Sequence, residues 1–170
     1  MSAPVTAPDE QLADDARFRQ VLGHFPTGVT VIAAVDDGEP VGLAVGSFFS
    51  VSLRPPLVGF CPDKSSSSWP RIQAAGAFCV NILAEDQIDV CRVFASKGTD
   101  KFASIPWRPT ASGSPLIEGV LGWIDCEIDA VHEAGDHYLV TGAVLDLQVD
   151  REVGPLLFFR GGYGRFDGDS

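Results

Sequence analysis

The sequence predicts a mainly β protein, an antiparallel barrel with helices inserted in its middle. Short runs rich in β-branched residues, separated by turn residues, recur from Thr27 to Arg160, a pattern typical of all-β barrels. The chain shows no internal repeat and no glycine-rich fingerprint between a strand and a helix, which argues against a dinucleotide-binding α/β fold. A length of 170 residues suits one domain with a single core.

The composition excludes several classes of protein. A formal net charge of −11 argues against nucleic-acid binding, because a protein that binds a phosphate backbone needs a basic stripe. No apolar run approaches the roughly 20 residues that span a bilayer, and we expect no signal peptide and a cytoplasmic location. Residues 1–15 lack aromatic side chains and are rich in Ala, Pro, Asp and Glu, which predicts a flexible arm before a domain at residues 16–166.

The first part of the chain reads as a helix followed by strands. Apolar residues at positions 18, 21, 22 and 25 have helical spacing, so a short amphipathic helix is expected from Phe18 to Phe25, just before Pro26. β-Branched runs then predict strands at residues 27–35, 41–53 and 57–61.

The middle of the chain adds two helices around a strand. Ser67 or Ser68, followed by Trp69 and Pro70, predicts a helix that a serine hydroxyl caps, and Gly76 predicts its end. We expect a strand at residues 77–83 and a helix at residues 85–95.

The last third reads as β again. Residues 124–130 alternate apolar with acidic side chains, which predicts a strand that is wet on one side. After a turn at residues 133–136, the return strand is expected at residues 137–149 and a final strand at residues 155–160, before a glycine-rich tail.

A segment rich in hydrogen-bond donors follows Cys61, where residues 62–69 read Pro-Asp-Lys-Ser-Ser-Ser-Ser-Trp. Hydroxyls and backbone N–H groups at a helix start favour a phosphate, and Lys64 adds a point charge. A helix cap in a flexible serine loop is the alternative, although capping explains one serine and hardly four. This segment is therefore a candidate phosphate cradle.

A second cationic loop contains Ser96, Lys97, Gly98, Lys101 and Phe102. A solvated loop after a helix is the alternative explanation, since lysine is common there. Two such loops in a chain this acidic nevertheless indicate one bound anion.

Three further polar features have ordinary alternatives. Ser50 and Ser52 share a strand face by the two-residue period, which is also typical of a solvated face. The Gly135-Asp136-His137 tip and residues 159–163 could equally reflect turn chemistry.

The chain also lacks several signatures of protein-based catalysis. It has no Gly-x-Ser-x-Gly elbow and no His-Glu-x-x-His motif, which favours chemistry carried by a cofactor. Its four cysteines are widely spread, so no metal site is expected, and Cys79 and Cys126 are predicted to be small core residues.

Six motifs that occur in order resemble those of the flavin reductase family, the short-chain NAD(P)H:flavin oxidoreductases that act as reductase components of two-component flavin monooxygenases. Within that family, the pattern is most similar to the reductases of steroid-ring-degradation hydroxylases. The resemblance extends from Phe18 to about Tyr163. The motifs are Pro-Thr-Gly-Val-Thr-Val-Ile at 26–32, Ser-Phe-Phe-Ser-Val-Ser-Leu-Arg-Pro-Pro-Leu-Val at 47–58, Phe-Cys-Val-Asn-Ile-Leu at 78–83, Phe-Ala-Ser-Lys-Gly-Thr-Asp-Lys-Phe at 94–102, Gly-Asp-His at 135–137 and Leu-Leu-Phe-Phe-Arg-Gly at 156–161.

The resemblance implies an FMN-binding split barrel of antiparallel Greek-key type, and it assigns the site residue by residue. Backbone groups of Gly46, Ser47, Phe48 and Phe49 would line the isoalloxazine ring; relatives often have Asn or Gln where this chain has Gly46. The implied contacts to the ribityl chain and phosphate are Asp63, Lys64, Ser65, Ser66, Ser67, Ser68 and Trp69, with Ser96, Lys97 and Phe102 closing on the same flavin. The implied nicotinamide contacts are His137, Phe158, Phe159, Arg160 and Gly161.

The expected activity is hydride transfer from NADH or NADPH to FMN or FAD, by a homodimer that passes reduced flavin to a partner monooxygenase. Because hydride passes directly between two stacked rings, His137 is expected to orient a ring as a donor rather than to act as an obligatory base. Two alternatives remain: an oxidase or oxygenase of the same fold that acts on its own substrate, and a non-catalytic flavin carrier. The sequence leaves open FMN against FAD and NADH against NADPH.

Overall fold

The computed structural model describes residues 8–98 and 100–168. The helices are α1 (Pro8–Leu22), α2 (Trp69–Ala75) and α3 (Ile88–Ala95). The strands are β1 (Thr27–Gly28), β2 (Thr30–Asp36), β3 (Glu39–Val45), β4 (Phe49–Leu53), β5 (Pro56–Phe60), β6 (Ala77–Ile82), β7 (Trp107–Pro109), β8 (Pro115–Ile117), β9 (Gly122–Ala134), β10 (His137–Val149), β11 (Leu157–Phe159) and β12 (Gly162–Gly164).

The main sheet has seven antiparallel strands in the order β3-β2-β6-β9-β10-β5-β4. Strands from both ends of this order contribute to one core cluster, with Leu43 on β3 and Phe60 on β5. The sheet therefore wraps around that core as an open barrel, which confirms the predicted mainly β, antiparallel architecture. In the described part of the chain, the edge strands β3 and β4 do not pair with each other.

A second core cluster covers the other face of the sheet. It combines Val31 and Cys79 of the main sheet with Phe94 of α3 and Leu116 of β8. Cys79 and Cys126 are both fully buried, as predicted, and all four cysteines are free. Burial raises the pKa of Cys126 to about 12, so this thiol stays protonated and inert at neutral pH.

The N-terminal helix differs from the prediction. It begins at Pro8 rather than Phe18 and ends at Leu22, so it runs across the expected boundary between arm and domain at residues 15 and 16. Phe18, Val21 and Leu22 of the predicted apolar stripe lie on the helix, whereas Phe25 lies beyond its end. Phe18 and Phe25 are 67% and 73% exposed. Residues 1–7 of the predicted arm lie outside the described residues, and its flexibility stays a prediction.

The helix α2 starts where the sequence predicts it, but the predicted capping hydrogen bond is not made. Ser68 occupies the cap position without a side-chain hydrogen bond to the helix. Instead, the backbone N–H of Trp69 donates to Ser66 Oγ at 3.3 Å. Gly76 ends the helix as predicted, in the left-handed conformation that glycine adopts without strain.

The acidic face of strand β9 is not exposed to solvent along its whole length. Asp125 is fully buried, because the segment between β7 and β8 folds over it. Its carboxylate accepts hydrogen bonds from Thr110 Oγ1 at 2.8 Å, from the Ser112 N–H at 3.0 Å and from Ser112 Oγ at 2.6 Å. The expectation of a solvated acidic face was therefore wrong at this residue.

The predicted shared face of Ser50 and Ser52 was also wrong. A β-bulge between them places Ser50 opposite Val58 and Ser52 opposite Leu57. Val58 and Leu57 are neighbours on β5, so they point to opposite faces of the sheet. The serines paired with them therefore also point to opposite faces.

Candidate functional site

The serine segment is a tight turn organised by Asp63. Its Oδ1 accepts from the backbone N–H of Ser65 at 2.7 Å and from Ser65 Oγ at 2.6 Å. These two hydrogen bonds lower the pKa of the Asp63 carboxyl, so the turn is held by a carboxylate at neutral pH. The hydroxyl of Ser65 is thus engaged within the turn.

Backbone pairing joins this turn to the start of β10. Asp63 forms an isolated antiparallel bridge with His137, and the Lys64 N–H donates to the Asp136 carbonyl at 2.9 Å. The imidazole of His137 lies between two carboxylates, with Nδ1 at 2.7 Å from Asp136 Oδ1 and Nε2 at 4.0 Å from Asp63 Oδ2. The structure therefore brings His137 beside the serine segment, although the two are far apart in sequence.

Lys64 is directed to the hairpin rather than to open space. Its ammonium lies 3.5 Å from Glu133 Oε1 and 5.3 Å from the centroid of the Tyr138 ring. An exposed pair of this kind contributes little energy, but it offsets the charge that was expected to attract a phosphate.

The two predicted cationic loops meet at a cavity of about 190 Å³. Ser67 and Ser68 line it from one side, and Gly98, Lys101 and Phe102 from the other. Arg71, on α2, completes the polar lining. Two cations and two hydroxyls around one cavity suit an anionic ligand.

Lys101 and Arg71 line the cavity, and each also donates hydrogen bonds to a neighbouring group. Lys101 Nζ donates to the Phe94 carbonyl at 3.0 Å and to the Gly42 carbonyl at 3.5 Å, and burial lowers its pKa. Arg71 Nε donates to Asp36 Oδ2 at 3.1 Å. Uncharged carbonyl partners leave the full charge of Lys101 available, whereas Asp36 offsets part of that of Arg71.

Sequence reasoning missed Arg71 and noted Lys101 without assigning it a contact. Arg71 follows two residues after Trp69 in a helix whose buried positions are Trp69 and Ile72, and helical periodicity alone could have placed it on the open face. Ser96 and Lys97 are exposed and do not line the cavity. Ser96 Oγ donates to the Val93 carbonyl at 2.7 Å, so it serves the end of α3.

The loop from Gly46 to Phe49 is tied to the start of the serine segment. The Cys61 N–H donates to Ser47 Oγ at 2.9 Å, while Phe48 packs against the main core. Phe49 is half-exposed and lies opposite Gly59, where an added Cβ would come within 2.6 Å of the Phe49 ring. The loop is therefore fixed, with one aromatic ring in the core and one open to a ligand.

Gly46 lies against the hydroxyl of Thr27, without room for a side chain. A Cβ at this position would lie 2.9 Å from Thr27 Oγ1, and Thr27 pairs across β1 and β11 with Phe158. Thr27 thus connects the Gly46–Phe49 loop to the second group of predicted site residues. Sequence reasoning missed Thr27, for which the chain gives no signal beyond its place in the motif at 26–32.

The second group lies on the β11–β12 hairpin. Arg160 and Gly161 form its turn with φ values of 52° and 78°, the left-handed pair that two-residue hairpins favour. The Arg160 guanidinium lies 5.9 Å from the centroid of the Phe159 ring. All four predicted nicotinamide contacts at residues 158–161 therefore share one hairpin, and His137 lies with the first group.

The donors and the unsatisfied polar atoms of this site are compatible with a bound flavin. The cavity offers two hydroxyls and two cations for a phosphate. Thr27 Oγ1 and Trp69 Nε1 are buried without hydrogen-bond partners in the described part of the chain, and native proteins rarely leave such atoms unpaired without a functional reason. The residues present fit a flavin phosphate and ring. Across residues 8–98 and 100–168 we find neither a metal-binding cluster nor a helix able to cross a membrane.

Comparison with known proteins places this site in context. Residues 22–167 match the model of the flavin reductase like domain. The chain is 58% identical over 154 residues to a flavin reductase of Pseudomonas putida, covering 90% of this chain and 91% of that protein. It is 51% identical over 156 residues to the reductase subunit HsaB of a flavin-dependent monooxygenase from Rhodococcus jostii, covering 92% and 80% respectively.

Solved structures with a similar fold include another flavin-dependent reductase. The NADH:FAD oxidoreductase SgcE6 of Streptomyces globisporus, solved in complex with NAD and FAD fragments, superposes with a TM-score of 0.87 at 36% identity, covering 99% of each chain. The open antiparallel barrel described above is thus the split barrel that these reductases share. The family model, the curated relatives and the shared fold together establish that this chain belongs to the flavin reductase like domain family.

Proposed function

We propose that this protein is an NAD(P)H-dependent flavin reductase, which transfers hydride from a nicotinamide to FMN or FAD and supplies the reduced flavin to a partner monooxygenase. The observation that carries the proposal is the cavity where Ser67 and Ser68 face Arg71 and Lys101 in a chain of net charge −11. The names of the relatives support it, since they include a flavin reductase, a reductase subunit of a flavin-dependent monooxygenase and an NADH:FAD oxidoreductase.

The chain's own residues would bind and orient, since a bound flavin supplies the capacity to accept and release two electrons. Ser67, Ser68, Arg71 and Lys101 would hold the phosphate. The backbone of the Gly46–Phe49 loop, fixed by the Ser47–Cys61 hydrogen bond, would line the ring. Phe102 would close on the flavin from the cavity wall. Contacts of Asp63, Ser66 and Trp69 with the flavin also remain part of the proposal. We assign no phosphate contact to Lys64, Ser65, Ser96 or Lys97, which are engaged elsewhere or lie outside the cavity.

The nicotinamide would be held by the β11–β12 hairpin, through residues 158–161. His137 would orient a ring as a hydrogen-bond donor from its place beside Asp63 and Asp136. Direct hydride transfer needs close, aligned rings more than a protein base, so a side chain already fixed by two carboxylates suits that role.

The test is to mix the purified protein with NADH and an excess of FMN or FAD and to follow nicotinamide absorbance. We expect catalytic loss of NADH that depends on added flavin. Flavin binding without NADH loss would indicate a carrier, and bleaching of bound flavin only by another reductant would indicate an oxidase. Repeating the assay with NADPH, and with each flavin, determines which nucleotide and which flavin are preferred.

We propose further that the protein works as a homodimer with a separate oxygenase component. Support for the dimer comes from the exposed apolar side chains of α1 and of the end of β10, since contiguous apolar surface is typical of protein interfaces. Support for the oxygenase comes from HsaB, a relative named as a reductase subunit. Reconstitution with the oxygenase component of a two-component flavin-dependent monooxygenase tests the partner: hydroxylation should require both proteins, NADH and flavin.

A further inference from the structure

The β11–β12 hairpin stands outside the main sheet and has few attachments to it. It pairs with Thr27 and Gly28 of β1. The residues just before β11 are held by a bridge between Ala84 and Pro155 and by a hydrogen bond from the Leu156 N–H to the Leu83 carbonyl at 3.0 Å. Its turn is held by a hydrogen bond from the Arg160 N–H to the Gly23 carbonyl at 2.9 Å. A ring contact of 6.2 Å joins His24 and Phe159. These contacts involve β11 and the turn of the hairpin. The far strand β12 has a separate contact with the rest of the domain.

That contact is made by Tyr163 of β12. Its hydroxyl lies 3.4 Å from Cys91 Sγ, a hydrogen-bond distance for sulfur. The Tyr163 ring also packs against Phe158, with 5.4 Å between the ring centroids, and the two residues are directly paired across the hairpin. Any movement of Tyr163 therefore moves Phe158.

Cys91 lies on a firmly packed helix. It is 2% exposed on α3, and the same helix contributes Phe94, whose ring is 4.8 Å from that of Phe102 in the core. A thiol buried to this degree cannot contact a nucleotide bound at the surface. Its effect on nucleotide binding must pass through Tyr163.

We infer that Cys91 and Tyr163 are positioning residues, and that their contact holds the β11–β12 hairpin in the arrangement that binds the nicotinamide nucleotide. This inference rests on the proposed function, which places the nicotinamide contacts at residues 158–161. Loss of the contact leaves the hairpin attached from its β11 side, so strand β12 is less well fixed. Nucleotide affinity then falls while the chemistry between the rings is unchanged.

The experiment measures KM for NADH and kcat at saturating flavin, together with flavin affinity, for wild type, Tyr163→Phe, Cys91→Ala, Cys91→Ser and the Tyr163→Phe/Cys91→Ala double variant. We expect KM for NADH to rise about threefold in each of the first two variants, the effect of one modest hydrogen bond, with kcat and flavin affinity unchanged. Cys91→Ser keeps a hydrogen-bonding group and should restore the wild-type KM. The double variant should be no worse than either single variant, because both remove the same contact.

A matched control separates positioning from packing. Cys79→Ala removes another buried thiol, whose Sγ reaches only the Val80 carbonyl at 3.8 Å among its described hydrogen bonds. It should lower the unfolding temperature without changing KM. If the wild type is active but Tyr163→Phe leaves KM for NADH unchanged, the inference is wrong and the proposed function stands. The same holds if the increases in KM add up in the double variant. A wild type that does not oxidise NADH overturns both this inference and the proposed function.

Discussion

Single residues decide how well this site can hold an anion. Three lysines were candidates from the sequence, and the structure separates them. Lys101 lines the cavity and donates to two carbonyl groups. Lys64 pairs with Glu133, and Lys97 is exposed outside the cavity. Position and pairing, rather than charge itself, distinguish the three.

We therefore predict that Lys101→Ala raises the dissociation constant for flavin by about tenfold, since a hydrogen bond to a charged group contributes roughly 1.5–3 kcal/mol. Because burial lowers the pKa of Lys101 below its ordinary 10.5, and the phosphate binds the protonated form, flavin affinity should fall as pH rises toward that pKa. Titration followed by flavin fluorescence measures both effects.

Lys97→Ala is the matched control, because it removes the same charge from the same loop. We expect a change of less than about twofold, the effect of a screened surface charge. In the Lys64→Ala/Ser67→Ala double variant, which should also weaken binding, Ser67 should account for most of the loss, since it lines the cavity and Lys64 does not. Equal losses from Lys97→Ala and Lys101→Ala would place the phosphate outside the cavity.

At the scale of elements, regular periodicity explains what could be predicted. The long strands β9 and β10, the strand β6 and the start of α2 all follow from apolar pattern and helix signals. The strands β7, β8 and β12 have three residues each, too few to show a period. They were missed for that reason, and with them the burial of Asp125.

The same limit applies to the site. Ser67, Ser68 and Phe102 were predicted from local chemistry, and the structure brings them to one cavity. Arg71 and Thr27 act through contacts that only the folded chain creates. A residue whose neighbours come from distant elements leaves no local signature in one sequence.

The buried carboxylate gives a prediction about how these elements are joined. Asp125 accepts three hydrogen bonds from Thr110 and Ser112, and all three partners donate. Asp125→Asn would place an amide N–H₂ among those donors, so we expect a loss of about 2 kcal/mol or more in the free energy of unfolding. Urea denaturation followed by tryptophan fluorescence measures it.

Asp129→Asn is the matched control on the same strand. Asp129 is exposed and accepts one hydrogen bond from Thr141 Oγ1 at 2.9 Å. We expect a change within about 0.5 kcal/mol, as for most surface substitutions. If both variants lost the same free energy of unfolding, the loss in Asp125→Asn would not be specific to its buried hydrogen bonds, which would contradict the prediction.

At the scale of the whole molecule, two of the exposed apolar surfaces of the described residues bear on assembly. One is the α1 stripe of Phe18, Val21 and Leu22, continued by Phe25 just beyond the helix, and the other is the end of β10 with Leu145, Leu147 and Val149. A two-fold dimer can bury both when α1 of each copy lies on β10 of the other. The two surfaces complement each other, since one is a ridge on a helix and the other is a sheet face.

We predict that Phe18→Glu makes the proposed homodimer dissociate to monomers in sedimentation velocity, and that Leu147→Glu does the same from the other surface. A carboxylate in an apolar interface loses its hydration without gaining a partner, which opposes association strongly. Gln20→Glu is the control, because it places the same side chain on an exposed position of α1 that lies away from the stripe. If flavin binds between the barrel and the partner copy, the two monomeric variants should lose flavin affinity in parallel with association. A wild type that sediments as a monomer at all concentrations would contradict the dimer, and monomeric variants with full flavin affinity would show that one chain completes the site.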